Sequence, residues 1–168
     1  MPELNDALAT LHTAATAFLE AVDGAEQVWT VPRAPGKWSP AQVTEHVARI
    51  LDESSNVAAG TPSRFPTIPA LLRPLVRVLM FDRILRKRSF SNMKAIGPFI
   101  PATGSATSLE GRRRLDGALV RYDQALRARA ASGQPVVSSM FGAVTPADFA
   151  IFQELHIRHH LLQMPHTG

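Results

Sequence analysis

Residues 145–163 read TPADFAIFQELHIRHHLLQ and indicate the helical fold most directly. The first residues of this stretch predict a helix start, because Thr145 can cap the first turn, Pro146 suits the first helical position and Asp148 complements the positive helix end. Apolar and histidine side chains then recur with a helical period. The residues on this common face are Phe149, Phe152, His156, His160 and Gln163. The stretch therefore predicts an amphipathic helix whose buried face carries two histidines.

The spacing of these two histidines is suited to binding a metal ion. His156 and His160 are four residues apart, which brings their Cβ atoms to about 5–6 Å on one helix face. Two imidazole nitrogens can then approach one ion at the roughly 2.0–2.1 Å of a Zn–N bond. His159 is a second choice, because its spacing of three to His156 permits pairing less readily. Gln163 is predicted to support the site or to pack beside it.

A third candidate ligand, His46, lies on an upstream helix. Ser39, Pro40 and Gln42 form a capping box with proline at the first position, and the helix should continue to about residue 57. His46 falls on its apolar face, so the side chain is directed toward the core. The simpler interpretation is a core histidine satisfied by a hydrogen bond. Glu53, two turns further along the same face, is a candidate base or outer partner of the ligands.

The rest of the chain predicts further helices joined by long connections. A first amphipathic helix is expected over residues 4–22, and an irregular, proline-containing crossing over residues 60–74. A short extra helix should occupy residues 75–88, followed by a long connection over residues 89–106 that could fold over the mouth of a bundle. A capping box at Thr107 and Glu110 predicts a helix that ends near residues 132–133. The sequence therefore predicts a single all-α domain spanning residues 1–168.

Composition limits the chemistry. The 168 residues include no cysteine, so disulfides and thiolate ligands are excluded, and a transition metal must be held by imidazole, carboxylate or water. The N-terminus lacks the features of a signal peptide, and the most apolar stretch is too short and too charged to span a bilayer. We therefore expect a cytoplasmic protein that does not enter the membrane.

The net charge of +4 does not by itself indicate a nucleic-acid partner. Of the 18 basic residues, 15 are arginines, and the two clusters, at residues 83–88 and 112–114, lack the interleaved aromatic side chains of single-strand binders. Solvated helix faces are the expected role of these clusters. No nucleic-acid partner is expected, whereas the apolar first helix and bundle edge favour a homodimer.

These motifs carry a family resemblance. Trp38 and Ser39 before a helix with His46, followed by the terminal His156-x-x-x-His160-x-x-Gln163, resemble the DinB/YfiT-like superfamily of metal-binding helical bundles. The segment from Met140 to Phe149 that leads into these histidines is similar to the DUF1569 branch. The resemblance implies an up-down-down-up four-helix bundle in which His46, His156 and His160 bind a divalent ion, commonly nickel or zinc, with Trp38 near the site.

The resemblance also implies a possible activity. Some relatives transfer a low-molecular-weight thiol such as bacillithiol, mycothiol or glutathione to an electrophile, with the metal lowering the pKa of the thiol. The hypothesis is therefore metal-dependent transfer or hydrolysis on a small-molecule substrate. The alternative is a non-catalytic ligand-binding or dimeric interaction module with structural histidines and an apolar pocket lined by Phe65, Phe81 and Phe99. Glu154, next to the ligands in sequence, is predicted to be solvated.

Overall fold

The computed structural model describes residues 3–90 and 95–165, and it confirms the all-α fold class. The helices are α1 (Leu4–Gly24), α2 (Pro40–Ala59), α3 (Arg73–Val76), α4 (Arg83–Lys87), α5 (Ser108–Ala131) and α6 (Pro146–Leu161). A π-helical segment (Arg77–Asp82) joins α3 to α4, and short 3₁₀ turns cover Glu26–Val28, Ala70–Leu72 and Gly97–Phe99. The two strands are β1 (Val136–Ser138) and β2 (Gly142–Val144).

The contacts between the four long helices establish their relative directions. Arg114 pairs with Asp52 near the start of α5, and Arg129 donates to the carbonyl of Ala58 near its end, so α2 and α5 run parallel. Helix α1 is antiparallel to α5, because Arg112 pairs with Asp23 whereas Arg127 reaches Asn5. Helix α6 is antiparallel to α2, because Ser54 meets Gln153 whereas His46 meets His160. The order is up-down-down-up, as predicted.

The helix starts follow the predicted local chemistry. The Ser39 side chain accepts a hydrogen bond from the Gln42 amide while the Gln42 side chain bonds the Ser39 amide, and Thr107 and Glu110 form the same reciprocal pair at α5. Thr145 accepts from the amide of Asp148 at the start of α6. These bonds satisfy amide groups that a helix leaves unpaired in its first turn. They fix where α2 and α6 begin and therefore which turn of each helix carries its histidines.

Large apolar side chains from all four long helices form the hydrophobic core. Phe18, Leu51, Tyr122 and Ile157 are at most 1% exposed, and the Tyr122 hydroxyl donates to the carbonyl of Phe149 at 2.8 Å. That bond satisfies a polar group that would otherwise be costly to bury. The core therefore holds α6 against the other three long helices.

Phe81 belongs to this core, which corrects its predicted place in the pocket wall. Its side chain is fully buried, and its ring lies 5.1 Å from that of Phe141 and 4.9 Å from that of Phe152, measured between ring centroids. The π-helical segment turns Phe81 inward between the hairpin and α6. Phe65 and Phe99 do line the cavity, as predicted.

The β-hairpin was not predicted from the sequence. Val136 pairs with Val144 and Ser138 with Gly142, and the Ser138 hydroxyl accepts from the amides of Met140 and Phe141 in the turn. Strands of three residues contain too few alternations for a period of two to be recognised. The hairpin connects α5 to α6 and places Met140 and Phe141 in the cavity wall.

The connection before α5 packs against α2. Gln42 donates to the carbonyls of Pro101 and Ala102, and Arg49 donates to that of Pro98. Residues 91–94, which fall within the predicted long connection, lie outside the described residues. The part that is described covers the N-terminal half of α2, where His46 is located.

Across the described ranges, residues 3–90 and 95–165, we find no helix that combines the length and the apolar character needed to cross a bilayer.

Candidate metal centre

Three predicted ligands come together between α2 and α6. His46, His156 and His160 are buried, and one nitrogen from each lies within 4.8 Å of the others. The ring centroids of His160 are 4.6 Å from those of both His46 and His156. In a tetrahedral site with Zn–N bonds of roughly 2.0–2.1 Å, the nitrogens would lie about 3.3 Å apart. Small side-chain rotations would therefore allow the three rings to share one ion.

A backbone carbonyl fixes the orientation of His46. Nδ1–H of the His46 ring donates to the carbonyl oxygen of Phe99 at 2.6 Å. The bond selects the tautomer whose Nε2 lone pair is available to an ion, and metal-binding histidines usually donate their second nitrogen to such a partner. The packing of the connection against α2 is what brings this carbonyl to the ring.

Gln163 gives His160 the equivalent support. Nδ1–H of His160 donates to Oε1 of Gln163 at 3.1 Å, while the Gln163 amide donates to Nε2 of His159 at 3.2 Å. The single glutamine side chain therefore orients one candidate ligand and occupies a nitrogen of the neighbouring histidine. His159 lies beside His160 but is not part of the three-histidine cluster.

His156 shows most directly that the cluster fits a cation. Its Nδ1 atom is buried and has no hydrogen-bond partner among the described residues. A buried polar atom without a partner costs free energy, and an ion bound at this nitrogen would remove that cost. Neutral imidazoles are also the donors that divalent transition metals prefer. The residues present therefore fit a divalent metal ion.

Burial keeps the three imidazoles neutral. Desolvation lowers the pKa of His46, outweighing the opposing hydrogen bond to Phe99. Desolvation, followed by repulsion from His160 and His46, places the pKa of His156 well below its usual range. The pKa of His160 falls to about 3, mainly through desolvation. A metal ion binds only the deprotonated ring, so all three side chains are ready to coordinate at neutral pH.

The cluster forms part of the wall of a cavity of about 750 Å³. Trp38 and His159 line it beside the cluster, and the Trp38 ring lies 4.9 Å from that of His46. Six phenylalanines also line the cavity: Phe65, Phe90, Phe99, Phe141, Phe149 and Phe152. A volume of this size suits a small organic molecule. Such a molecule would reach the imidazoles from an apolar environment.

Glu53 and Glu154, two acidic residues whose places were predicted from the sequence, are located away from the imidazoles. The Glu53 carboxylate accepts from the backbone amide of Arg64 at 2.8 Å and is absent from the cavity wall. Glu154 is 1% exposed and paired with Arg88 and Arg158, so the prediction that it is solvated was wrong. The C-terminal end of α4 packs against α6 at this point and covers the carboxylate. Glu154 therefore stabilises the packing of α4 on α6.

Two features of the site were missed from the sequence. The Phe99 carbonyl that orients His46 is a main-chain group, and no side-chain pattern indicates it. Gln153 lies on the cavity wall one turn before His156, and its spacing to His156 and His160 could have identified it as a neighbour on the same face.

Replacement of Gln163 by leucine should weaken metal binding while leaving the helix intact. Loss of the acceptor for His160 releases the ring to other orientations, and comparable outer partners of metal ligands contribute about 10–100-fold to affinity. The measurement is a competition titration of zinc or nickel against a chromogenic chelator. Gln134→Leu, at an exposed position, is the matched control and should bind as the parent does. Equal affinities for the two variants would contradict the role of Gln163.

The metal-free protein should lose stability as the pH falls below about 6.5. His156 and His160 have lowered pKa values when folded, so the unfolded chain binds more protons between its own pKa of about 6.5 and the folded values. Each histidine should cost about 1 kcal/mol of unfolding free energy between pH 6.5 and 5.5. Urea unfolding at both pH values measures the loss. The variant His160→Leu should lose less unfolding free energy between the two pH values. A loss equal to that of the parent would mean that protonation of His160 does not contribute.

Comparison with known proteins identifies one family. The DUF1569 family, described as a protein of unknown function, matches residues 7–167. No curated protein and no solved structure matches the chain. The matched range includes α2 and α6, which carry the three clustered histidines, and every residue of the cavity wall.

Proposed function

We propose that this chain, which belongs to the DUF1569 family, is a divalent-metal-dependent enzyme acting on a small molecule in its central cavity. The observation that supports the proposal best is the cluster of three buried, neutral imidazoles in the wall of a largely apolar cavity. A structural role alone gives no reason to concentrate three imidazoles at one point beside open space. The same cluster on an up-down-down-up bundle supports a place in the DinB-like superfamily.

His46, His156 and His160 would hold the ion, with zinc and nickel the metals we favour. Three protein ligands leave coordination positions open to a substrate, as in catalytic rather than structural metal sites. When bound, the ion would supply positive charge that lowers the pKa of a thiol and favours its thiolate. The chain contains no cysteine, so the thiol must come from a small molecule.

The most concrete reaction is transfer of a low-molecular-weight thiol to an electrophile. The thiol loses its proton to solvent, its sulfur forms a bond to the electrophilic carbon, and the leaving group departs with its electron pair. Phe99 and Gln163 keep two imidazoles in a binding orientation throughout. The phenylalanines of the wall give a bound substrate a less polar environment than water, which strengthens electrostatic interactions inside the cavity.

The test follows thioether formation from monochlorobimane with bacillithiol, mycothiol or glutathione, using protein loaded with zinc or nickel. We expect catalysis with at least one thiol, and a rate lower by more than about 100-fold in His160→Ala, because loss of a direct ligand should exceed the effect of an outer partner. His12→Ala is the control, since His12 pairs with Asp123 away from the cavity. Equal rates in the two variants would rule out the metal mechanism.

A second candidate is a non-catalytic, dimeric interaction module. One surface favours it, because Leu71, Leu75 and Leu79 around α3 are 92%, 57% and 61% exposed, and exposed apolar patches often mark contact sites. Sedimentation equilibrium of the parent and of Leu75→Glu tests the candidate. A dimer that Leu75→Glu dissociates, in a protein that transfers no thiol, would favour this function over the enzyme.

A further inference from the structure

We infer that the cavity takes an elongated organic anion that also carries a hydrogen-bond donor. The inference names the ligand class of the same cavity and rests on the proposed function only in treating that cavity as the substrate site. It depends on the charges along the wall and on one unpaired polar atom, and neither observation requires a metal ion.

The ionisable side chains of the wall favour an anion. Arg33 and Lys37, from the loop before α2, line the cavity together with histidines. These two basic side chains supply positive charge to the wall. No aspartate or glutamate is found among the described residues of the wall. A cationic ligand would therefore meet repulsion without compensation, whereas a carboxylate would be attracted.

Gln153 supplies the second part of the inference. Its side chain is 1% exposed and lies on the cavity wall. Its Nε2 donates to the Ser54 hydroxyl at 2.9 Å, but Oε1 has no partner among the described residues. An unpaired buried acceptor costs about 1–3 kcal/mol. A hydroxyl or N–H group on the ligand would remove this cost, whereas an ether or carbonyl oxygen would not.

The order of these groups along α2 gives the ligand its length. The loop with Arg33 and Lys37 precedes Pro40, His46 follows six residues later, and Ser54, the partner of Gln153, follows eight residues after that. At 1.5 Å per residue, Ser54 lies about 12 Å beyond His46 along the helix axis. The loop that carries the basic side chains therefore joins α2 at the end nearer His46, whereas Gln153, bonded to Ser54, lies beyond His46 toward the other end of α2. A ligand that reaches both must extend past the imidazoles.

The experiment measures binding of ω-hydroxydodecanoate by calorimetry, with ω-methoxydodecanoate and methyl ω-hydroxydodecanoate as matched analogues. The protein is titrated as purified and again after chelation, so that coordination of a carboxylate to a metal is separated from attraction to the two basic residues. We expect the hydroxy acid to bind about tenfold more tightly than either analogue, in both preparations. Equal binding of the ester or of the ether would overturn the inference.

Variants assign each preference to its residues. The double variant Arg33→Gln/Lys37→Gln should no longer prefer the acid to the ester, but should still prefer the hydroxyl to the methoxy group. Gln153→Met should still prefer the acid to the ester, but should no longer prefer the hydroxyl to the methoxy group. Ser54→Ala controls for a structural effect, because it removes the partner of Gln153 and leaves Oε1 in place. If Ser54→Ala abolished the hydroxyl preference as Gln153→Met does, or if Gln153→Met retained it, the role of Gln153 would be wrong.

The outcome is independent of catalysis. Selective binding by chelated protein that shows no thiol transfer would support the ligand class and contradict the proposed function. Thiol transfer by a protein that binds the three probes equally would support the proposed function and contradict the ligand class.

Discussion

Replacing any one of His46, His156 and His160 by alanine should remove metal from a protein that otherwise holds about one equivalent per chain. Each ring supplies one of three nitrogens that lie within 4.8 Å of one another. Two remaining imidazoles bind an ion far less tightly, because a direct ligand should contribute more than the about 10–100-fold of an outer partner. The measurement is metal content by mass spectrometry on protein purified without a histidine tag.

Two other histidines provide matched controls for this experiment. His159→Ala removes a ring that lines the cavity without belonging to the cluster, and His12→Ala removes one paired with Asp123 on the surface. Both variants should keep the parent's metal content. A parent that binds neither zinc nor nickel after dialysis would contradict the metal centre, as would retention of metal by all three cluster variants.

The second large effect concerns stability rather than metal. Phe81→Ala should lower the unfolding free energy by about 3–5 kcal/mol, since truncating a fully buried aromatic side chain leaves a void in the core. Phe81 is fully buried and packs against the rings of Phe141 and Phe152. Urea unfolding in the presence of a chelator measures the loss without a contribution from bound metal.

The control compares this residue with an aromatic side chain of the cavity. Phe65 is partly exposed and faces space that is already open, so Phe65→Ala should cost less than half as much. The folded Phe81→Ala protein should still bind metal, because its side chain does not reach the imidazoles. Similar losses of unfolding free energy for the two variants would contradict the place of Phe81 in the core.

Much of the fold was predictable because it depends on neighbours in sequence. The capping residues Ser39, Thr107 and Thr145 each bond the amide three positions further along the chain, so the starts of three long helices are visible in the sequence. The third helix was also predicted, but not its division by the π-helical segment Arg77–Asp82. That segment sets which way Phe81 points, which explains why Phe81 was assigned to the wrong surface.

The candidate ligands were predictable for a similar reason. Residues four apart on a helix face the same way, so the pairing of His156 with His160 follows from α6 alone. His46 was a candidate because it lies on the apolar face of a second helix, and the family resemblance implied that it joins the pair. The buried position of Glu154 could not be predicted, because Arg88 reaches it from 66 residues away in sequence.

The helices, their caps and the faces on which the histidines lie follow from local sequence, since these features depend on backbone periodicity and on bonds within one turn. The surroundings of those histidines depend on tertiary packing. The Phe99 carbonyl at His46, the partly unpaired Gln153 and the aromatic cavity all arise where distant segments pack together. Such contacts follow from the shape of the assembled core, which no local pattern of residues encodes.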